Sequence, residues 1–125
     1  MTATARSPQH LVTLYKCLCD LNRLRILNLL RTGPECVCRL EAVLGIGPVR
    51  TSQQLAYLRR HGMVTCTVQG TWRIYALPEK RPPELEANLA CLQDCSREMK
   101  VFRDDLVALR KARKTICGPS TCSKD

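Results

Sequence analysis

Residues 36–77 read CVCRLEAVLGIGPVRTSQQLAYLRRHGMVTCTVQGTWRIYAL, and the periodicity of this stretch decides the fold. Its first part predicts a short helix from about Cys36 to Leu44, followed by the turn Gly45-Ile46-Gly47-Pro48. A second helix covers Val49 to His61 and stops at Gly62, a residue suited to the left-handed conformation that closes helices. A short helix, a glycine-containing turn and a second helix make a helix-turn-helix. The period then drops to two. Val64, Cys66 and Val68 alternate with Thr65, Thr67 and Gln69 as a half-buried strand does, Gln69-Gly70-Thr71 turns the chain, and residues 72–77 return as the partner strand. The hairpin is a wing beside the helix-turn-helix.

In such a unit the second helix enters the major groove of DNA and presents its N-terminal residues to base edges. Here those residues are Arg50, Thr51, Ser52, Gln53 and Gln54. Gln pairs in a bidentate manner with adenine and Arg with guanine, while Ser and Thr reach bases or phosphates. Leu55 and Leu58 fall on the core-facing side, Tyr57, Arg59 and Arg60 suit backbone contacts, and Thr71 and Arg73 sit where the wing passes a flanking phosphate or minor groove. An ordinary amphipathic helix shows the same polar outer face; the order of elements around this one separates the two readings.

Working toward the N-terminus, Ser7-Pro8 opens a helix carrying Leu11, Leu14, Tyr15 and Leu18 at helical spacing. Asp20 caps a second helix with Leu24, Ile26, Leu27 and Leu30 as its stripe, ended by Gly33-Pro34. Toward the C-terminus, Pro82-Pro83 precedes one long helix expected from Glu84 to about Lys114, with Leu85, Leu89, Leu92, Met99, Phe102, Leu106 and Leu109 in line. A small domain cannot bury that whole line alone, so a homodimer through the terminal helices is expected. The fold class is therefore mostly α with a β-hairpin wing. Residues 7–114 form one DNA-binding and dimerisation domain, and residues 115–125 a flexible Cys-containing tail.

The chain has 125 residues and a formal net charge of +9. Residues 1–66 hold nine Lys and Arg against three Asp and Glu, whereas residues 67–125 hold eleven against eight. The excess thus lies in the half that carries the helix-turn-helix, and a clustered basic excess attracts a phosphate backbone. No apolar run reaches membrane-spanning length and the N-terminus lacks a signal-peptide pattern, so the expectation is a cytoplasmic protein with no membrane partner. There is no nucleophile–base motif, phosphate-binding glycine loop or paired acidic constellation, so no enzyme and no organic cofactor are expected.

Several segments in order resemble the ArsR/SmtB family of bacterial metal-sensing repressors. They are Cys19-Asp20-Leu21-Asn22-Arg23-Leu24-Arg25-Ile26-Leu27, Glu35-Cys36-Val37-Cys38-Arg39-Leu40, Ser52-Gln53-Gln54-Leu55-Ala56-Tyr57-Leu58-Arg59, Gly62-Met63-Val64 and residues 70–77. The resemblance covers about residues 10–110 and implies a dimer that occupies double-stranded operator DNA and releases it when an inducer binds. Where the family usually has Ser-Arg-His-Leu, this chain has Ser52-Gln53-Gln54-Leu55, which points to a different operator sequence.

In the reducing compartment expected here, nine cysteines are not expected to form disulfides, and their odd number argues the same way. Cys36-Val37-Cys38 resembles the family's arsenite and antimonite site and also the cadmium/lead site of a sister group; soft thiolates suit both. The resemblance implies As(III) or Sb(III) as inducer and Cys36 and Cys38 as primary ligands. On a regular helix, residues two apart point to nearly opposite sides, so binding is expected to require unwinding of that helix's first turn. The helix N-terminus and Arg39 are expected to favour the thiolate form. The third cysteine of arsenite sensors is replaced by Glu41. Further thiols are Cys91 and Cys95, four apart on one helix face and a secondary pair, the tail's Cys117 and Cys122, and Cys17 and Cys19, which also read as helix packing. Cys66 reads as core filler. His10 and His61 are too few for a zinc site of the family's last-helix type. Cadmium or lead, an organoarsenical, thiol oxidation or persulfide chemistry, and a thiol-rich metal carrier without a DNA role remain alternatives.

Overall fold

A computed structural model describes residues 7–116; residues 1–6 and 117–125, with Cys117 and Cys122, lie outside the described residues. The chain runs α1 (Pro8–Leu18), α2 (Leu21–Leu30), β1 (Glu35–Cys36), α3 (Val37–Leu44), α4 (Pro48–Arg60), β2 (Thr65–Gln69), β3 (Trp72–Ala76), α5 (Pro83–Glu98) and α6 (Lys100–Thr115). The expected caps are in place. Ser7 Oγ accepts from the His10 amide at 3.3 Å, and Asp20 Oδ2 from the Arg23 amide at 3.1 Å. Gly45 ends α3 at φ +65°, a conformation costly to residues with a side chain, and frees the chain to turn into α4.

One core joins all the helices. Leu14, Ile26, Leu27, Leu40, Leu55, Leu58, Leu85, Leu89, Phe102 and Leu109 are buried in it. The fold class is the one expected, mostly helical with a small antiparallel sheet. That sheet has three strands in the order β1-β3-β2 rather than a lone hairpin. Gln69 pairs with Trp72 around Gly70-Thr71, and Glu35 and Cys36 pair with Tyr75 and Ile74. The expected burial alternation fades along β2. Val64 is buried just before the strand, Cys66 is half-buried, and Val68 is exposed because the hairpin tip projects beyond the core.

The single long C-terminal helix is corrected: it is two helices. Met99 adopts φ −91° and ψ 122°, and α6 folds back onto α2 and α3. Phe102, Leu109 and Ala112 are thereby buried against their own chain. Asp105, also buried, takes a fork from Arg25 of α2, Nε at 2.8 Å and the terminal nitrogen at 2.9 Å. Part of the apolar line assigned to a partner subunit is thus satisfied internally. On the terminal helices, Leu11, Val12 and Tyr15 of α1, Met99 at the break and Val107 of α6 stay exposed.

Candidate nucleic-acid interface and thiol site

At the start of α4, Arg50, Ser52 and Gln53 are exposed, and farther along the helix so is Arg59; Thr71 and Arg73 are exposed on the wing. Thr51 is corrected. It is completely buried, and its hydroxyl donates to the Gly47 carbonyl at 2.8 Å, so it belongs to the core side of α4 and not to a DNA-reading face. Its spacing to Leu55 and Leu58 already places it on their face.

Gln54 and Tyr57 are half-buried and share a partner absent from the sequence-based site, Arg23. The Arg23 guanidinium donates to Gln54 Oε1 at 2.9 Å, to the Lys16 carbonyl at 2.9 Å and to the Cys17 carbonyl at 3.0 Å, and lies 4.2 Å from the centre of the Tyr57 ring. It ties the end of α1 and the start of α2 to the middle of α4. Gln54 keeps its amide donors while its oxygen is engaged, so Arg23 fixes which part of the side chain points away. The Arg60 guanidinium stands 5.9 Å from the centre of the Tyr57 ring, and His61 tilts against that ring at 4.7 Å. Nothing in the periodicity marks Arg23; only its place in the Asn22-Arg23-Leu24 segment does.

The dithiol lies at the junction of sheet and helix. Cys36 is the N-cap of α3 and is extended, at φ −81° and ψ 154°, while Cys38 lies in the first turn. The two sulfurs are 3.2 Å apart. The expectation that a helix must unwind to bring them together is therefore overturned: because Cys36 belongs to β1, the opposed directions of two helical residues do not arise. Cys36 is buried with Ile74, and Cys38 and Trp72 pack against them.

The electrostatics also differ from expectation. Burial, then the contact with Cys36, pushes the Cys38 thiol up to about 11, outweighing the lowering by Arg39. Cys38 is thus a neutral thiol at neutral pH. Next to the pair, Glu35 is wholly buried. Its Oε2 accepts from Arg39 at 3.1 Å and from the Cys36 amide at 3.3 Å, and its Oε1 accepts from Arg113 at 2.9 Å.

The other cysteines occupy different surroundings. Cys17 is buried in the main core. Cys19, Cys91 and Cys95 line a mainly apolar cavity of about 420 Å³ between α1, α5 and the α5–α6 break. Cys91 and Cys95 touch across one turn, and Cys95 is raised by burial, by that contact and by the nearby Asp94 and Glu98 charges. Among the described residues, no group of three or more Cys, His, Asp or Glu side chains gathers in a metal-holding arrangement. No helix among them is long and apolar enough to cross a membrane.

Residues 20–65 match the profile described as "Bacterial regulatory protein, arsR family". The chain is 41% identical over 51 residues to the "Putative arsenical resistance operon repressor ArsR2" of Halobacterium salinarum, a match covering 41% of this chain and 43% of that protein. It is 33% identical over 73 residues to the "Uncharacterized HTH-type transcriptional regulator MJ1325" of Methanocaldococcus jannaschii, covering 58% of this chain and 82% of that one. Among solved structures, HlyU from Vibrio cholerae superposes with a TM-score of 0.63 at 29% identity, over 70% of this chain and 91% of that one.

Proposed function

The chain belongs to the arsR family of DNA-binding helix-turn-helix transcriptional regulators, and on that premise we propose that it is a homodimeric repressor that leaves its operator when trivalent arsenic or antimony binds Cys36 and Cys38. The observation that carries the inducer is the 3.2 Å separation of the two sulfurs. Two sulfurs each ~2.3 Å from one soft ion, at an angle of about 90–110°, stand roughly 3.3–3.8 Å apart, so the pair needs only a small adjustment.

The protonated Cys38 favours a neutral inducer over a divalent cation. Arsenous acid condenses with a thiol: an As–O bond breaks, an As–S bond forms, and the thiol proton leaves with hydroxide as water. No charge has to be created in the site. A divalent cation must first drive the proton off. The name of the halobacterial relative, an arsenical resistance operon repressor, points in the same direction.

Transmission follows from where the sulfurs sit. Cys36 pairs with Ile74 of the wing strand, and Cys38 lies in the first turn of α3, which packs on α4. An ion that draws the sulfurs to its own bond lengths shifts the wing and the helix-turn-helix relative to each other. Release follows to the extent that the ligand binds the shifted arrangement more tightly. On the DNA side, Arg50, Ser52, Gln53 and Gln54 read bases, and Tyr57, Arg59, Thr71 and Arg73 position the backbone. Leu11, Val12 and Tyr15 of α1 supply the partner-facing surface.

The test is fluorescence anisotropy of labelled operator with reduced protein, titrated separately with arsenite, antimonite, an organoarsenical, cadmium and an oxidant. Release by arsenite or antimonite that disappears in the Cys36→Ser/Cys38→Ser double variant is the expected result. Release by cadmium alone, or an unchanged double variant, sinks the inducer assignment. A second reading makes thiol oxidation or persulfide formation the signal, on the strength of the touching, accessible Cys91 and Cys95. Release by oxidant alone, abolished in Cys91→Ser, would establish it. A chain that binds no operator at all is a thiol metal carrier instead.

A further inference from the structure

Two adjacent glutamines on α4 are chemically identical, but their surroundings are not. Gln53 is exposed, so its amide can turn to give one hydrogen and accept another together, the pattern adenine requires. Gln54 is half-buried, and its amide is held. Arg23 donates to Gln54 Oε1 from one terminal nitrogen at 2.9 Å. That guanidinium is itself fixed: it donates to the Cys17 carbonyl at 3.0 Å and to the Lys16 carbonyl at 2.9 Å, and it lies 4.2 Å from the centre of the Tyr57 ring. A guanidinium only donates, so the oxygen of the amide, and not its nitrogen, faces Arg23.

We propose that Gln54 reads DNA as a hydrogen-bond donor alone and selects guanine, with Arg23 as the positioning residue that sets this polarity. The proposal rests on the reading of α4 as the base-contacting helix. Adenine presents an acceptor, N7, beside a donor, the N6 amino group, and a paired contact with it needs a free oxygen on the amide. In Gln54 that oxygen already faces a cation, which opposes the approach of a second donor with its own positive hydrogen. The Nε2 group keeps two hydrogens, and the charge bonded at the oxygen polarises them further. Guanine meets them with two acceptors, N7 and O6, and no donor on that edge. Cytosine offers only its N4 donor there and is refused for the same reason as adenine N6.

The two glutamines therefore differ in what they read. Gln53 can accept and donate together, whereas Gln54 can only donate. The difference comes from α1 and α2, whose junction Arg23 ties to α4, and not from α4 itself.

The experiment uses the full-length reduced protein without inducer. It selects duplexes from a randomised library, and anisotropy then measures all four base pairs at each selected position. Gln54→Ala locates the base pair of Gln54 as the position where discrimination collapses, and Gln53→Ala locates its neighbour's. The expected result is a G·C pair at the Gln54 position, favoured about tenfold over A·T in the wild type. Arg23→Met keeps the bulk but donates nothing, so the freed oxygen should swing that one position toward A·T and leave the Gln53 position unchanged. An A·T preference at the Gln54 position in the wild type overturns the proposal. So does a Gln54→Ala variant that loses discrimination nowhere, or uniform weakening by Arg23→Met with the G·C preference intact. These outcomes leave the DNA-binding reading standing. If Arg23→Met binds too weakly to profile, the wild type and Gln54→Ala decide by themselves. A chain that selects no sequence sinks both readings.

Discussion

Arg113, near the end of α6, donates to Glu35 at 2.9 Å across 78 residues of chain, and the carboxylate it holds is immediately followed by Cys36. Glu35 is wholly buried, as is nearly all of Arg39, its other partner, while Arg113 is about a quarter exposed. Removing one member of a buried pair strands the other charge, at a cost of roughly 3–5 kcal/mol. Glu35→Ala is therefore expected to lose about that much stability in urea denaturation. Arg113→Ala, at the wetter edge, should lose only about 1 kcal/mol. Equal losses would mean that the two ion pairs are not ranked by burial.

The winged helix-turn-helix was legible because its signals are local: caps at Ser7 and Asp20, a glycine turn before α4, and a switch of period at Val64. What the sequence hid depends on contacts made at long range. The break at Met99 has no glycine or proline to announce it; Phe102 burial and the Arg25–Asp105 fork hold α6 against α2 instead. A two-residue strand is too short to show a period, so Cys36 looked helical and its sulfur looked turned away from Cys38. Thr51 is a different case: its four- and seven-residue spacing to Leu55 and Leu58 marks the core face, and a hydroxyl can be buried there because it donates to the Gly47 carbonyl.

Substitutions on α4 should sort by role. Arg50→Ala is expected to cost about 1–3 kcal/mol on the cognate operator and to narrow the gap to random DNA. Arg59→Ala should weaken both DNAs alike and lower the salt slope by about one. Competition anisotropy at several salt concentrations separates these outcomes; a pure salt-slope effect from Arg50→Ala would move that residue from bases to phosphates. Thr51→Ala should act through stability alone.

Arg23 positions α4 and is not replaceable by charge. Lysine keeps the cation but not the planar fork that serves Gln54, Lys16, Cys17 and the Tyr57 face together. Arg23→Lys should therefore weaken operator binding nearly as much as Arg23→Ala. Rescue by lysine would reduce Arg23 to a phosphate contact, and a binding series with both variants decides.

The exposed face of α1 gives a test of assembly that leaves the core untouched. Val12 is 44% and Tyr15 54% exposed, so a charge at either site disturbs little inside one chain. If this face meets a second copy, Val12→Asp/Tyr15→Asp buries two unpaired carboxylates there. Sedimentation velocity at micromolar protein should then show a monomer with an unchanged thermal midpoint per chain and poor operator affinity. A dimer that persists in this variant places the interface elsewhere.

The state of Cys38 separates arsenic from cadmium by pH alone. Burial and the neighbouring Cys36 sulfur hold the Cys38 thiol at about 11, so it is protonated throughout pH 6–8. A divalent cation binds the thiolate and must expel that proton, so its affinity rises about tenfold per pH unit from this residue alone. Arsenous acid takes the proton away as water, and its condensation with Cys38 consumes and releases none. Arsenite-driven release should thus stay flat between pH 6 and 8 while cadmium-driven release strengthens steadily. Operator affinity without inducer must be measured at each pH so that any change in DNA binding itself is subtracted. A steep pH dependence for arsenite would show that the thiolate, and not the thiol, is the reacting form, and would place Cys38 in a wetter site than the one beside Ile74 and Trp72.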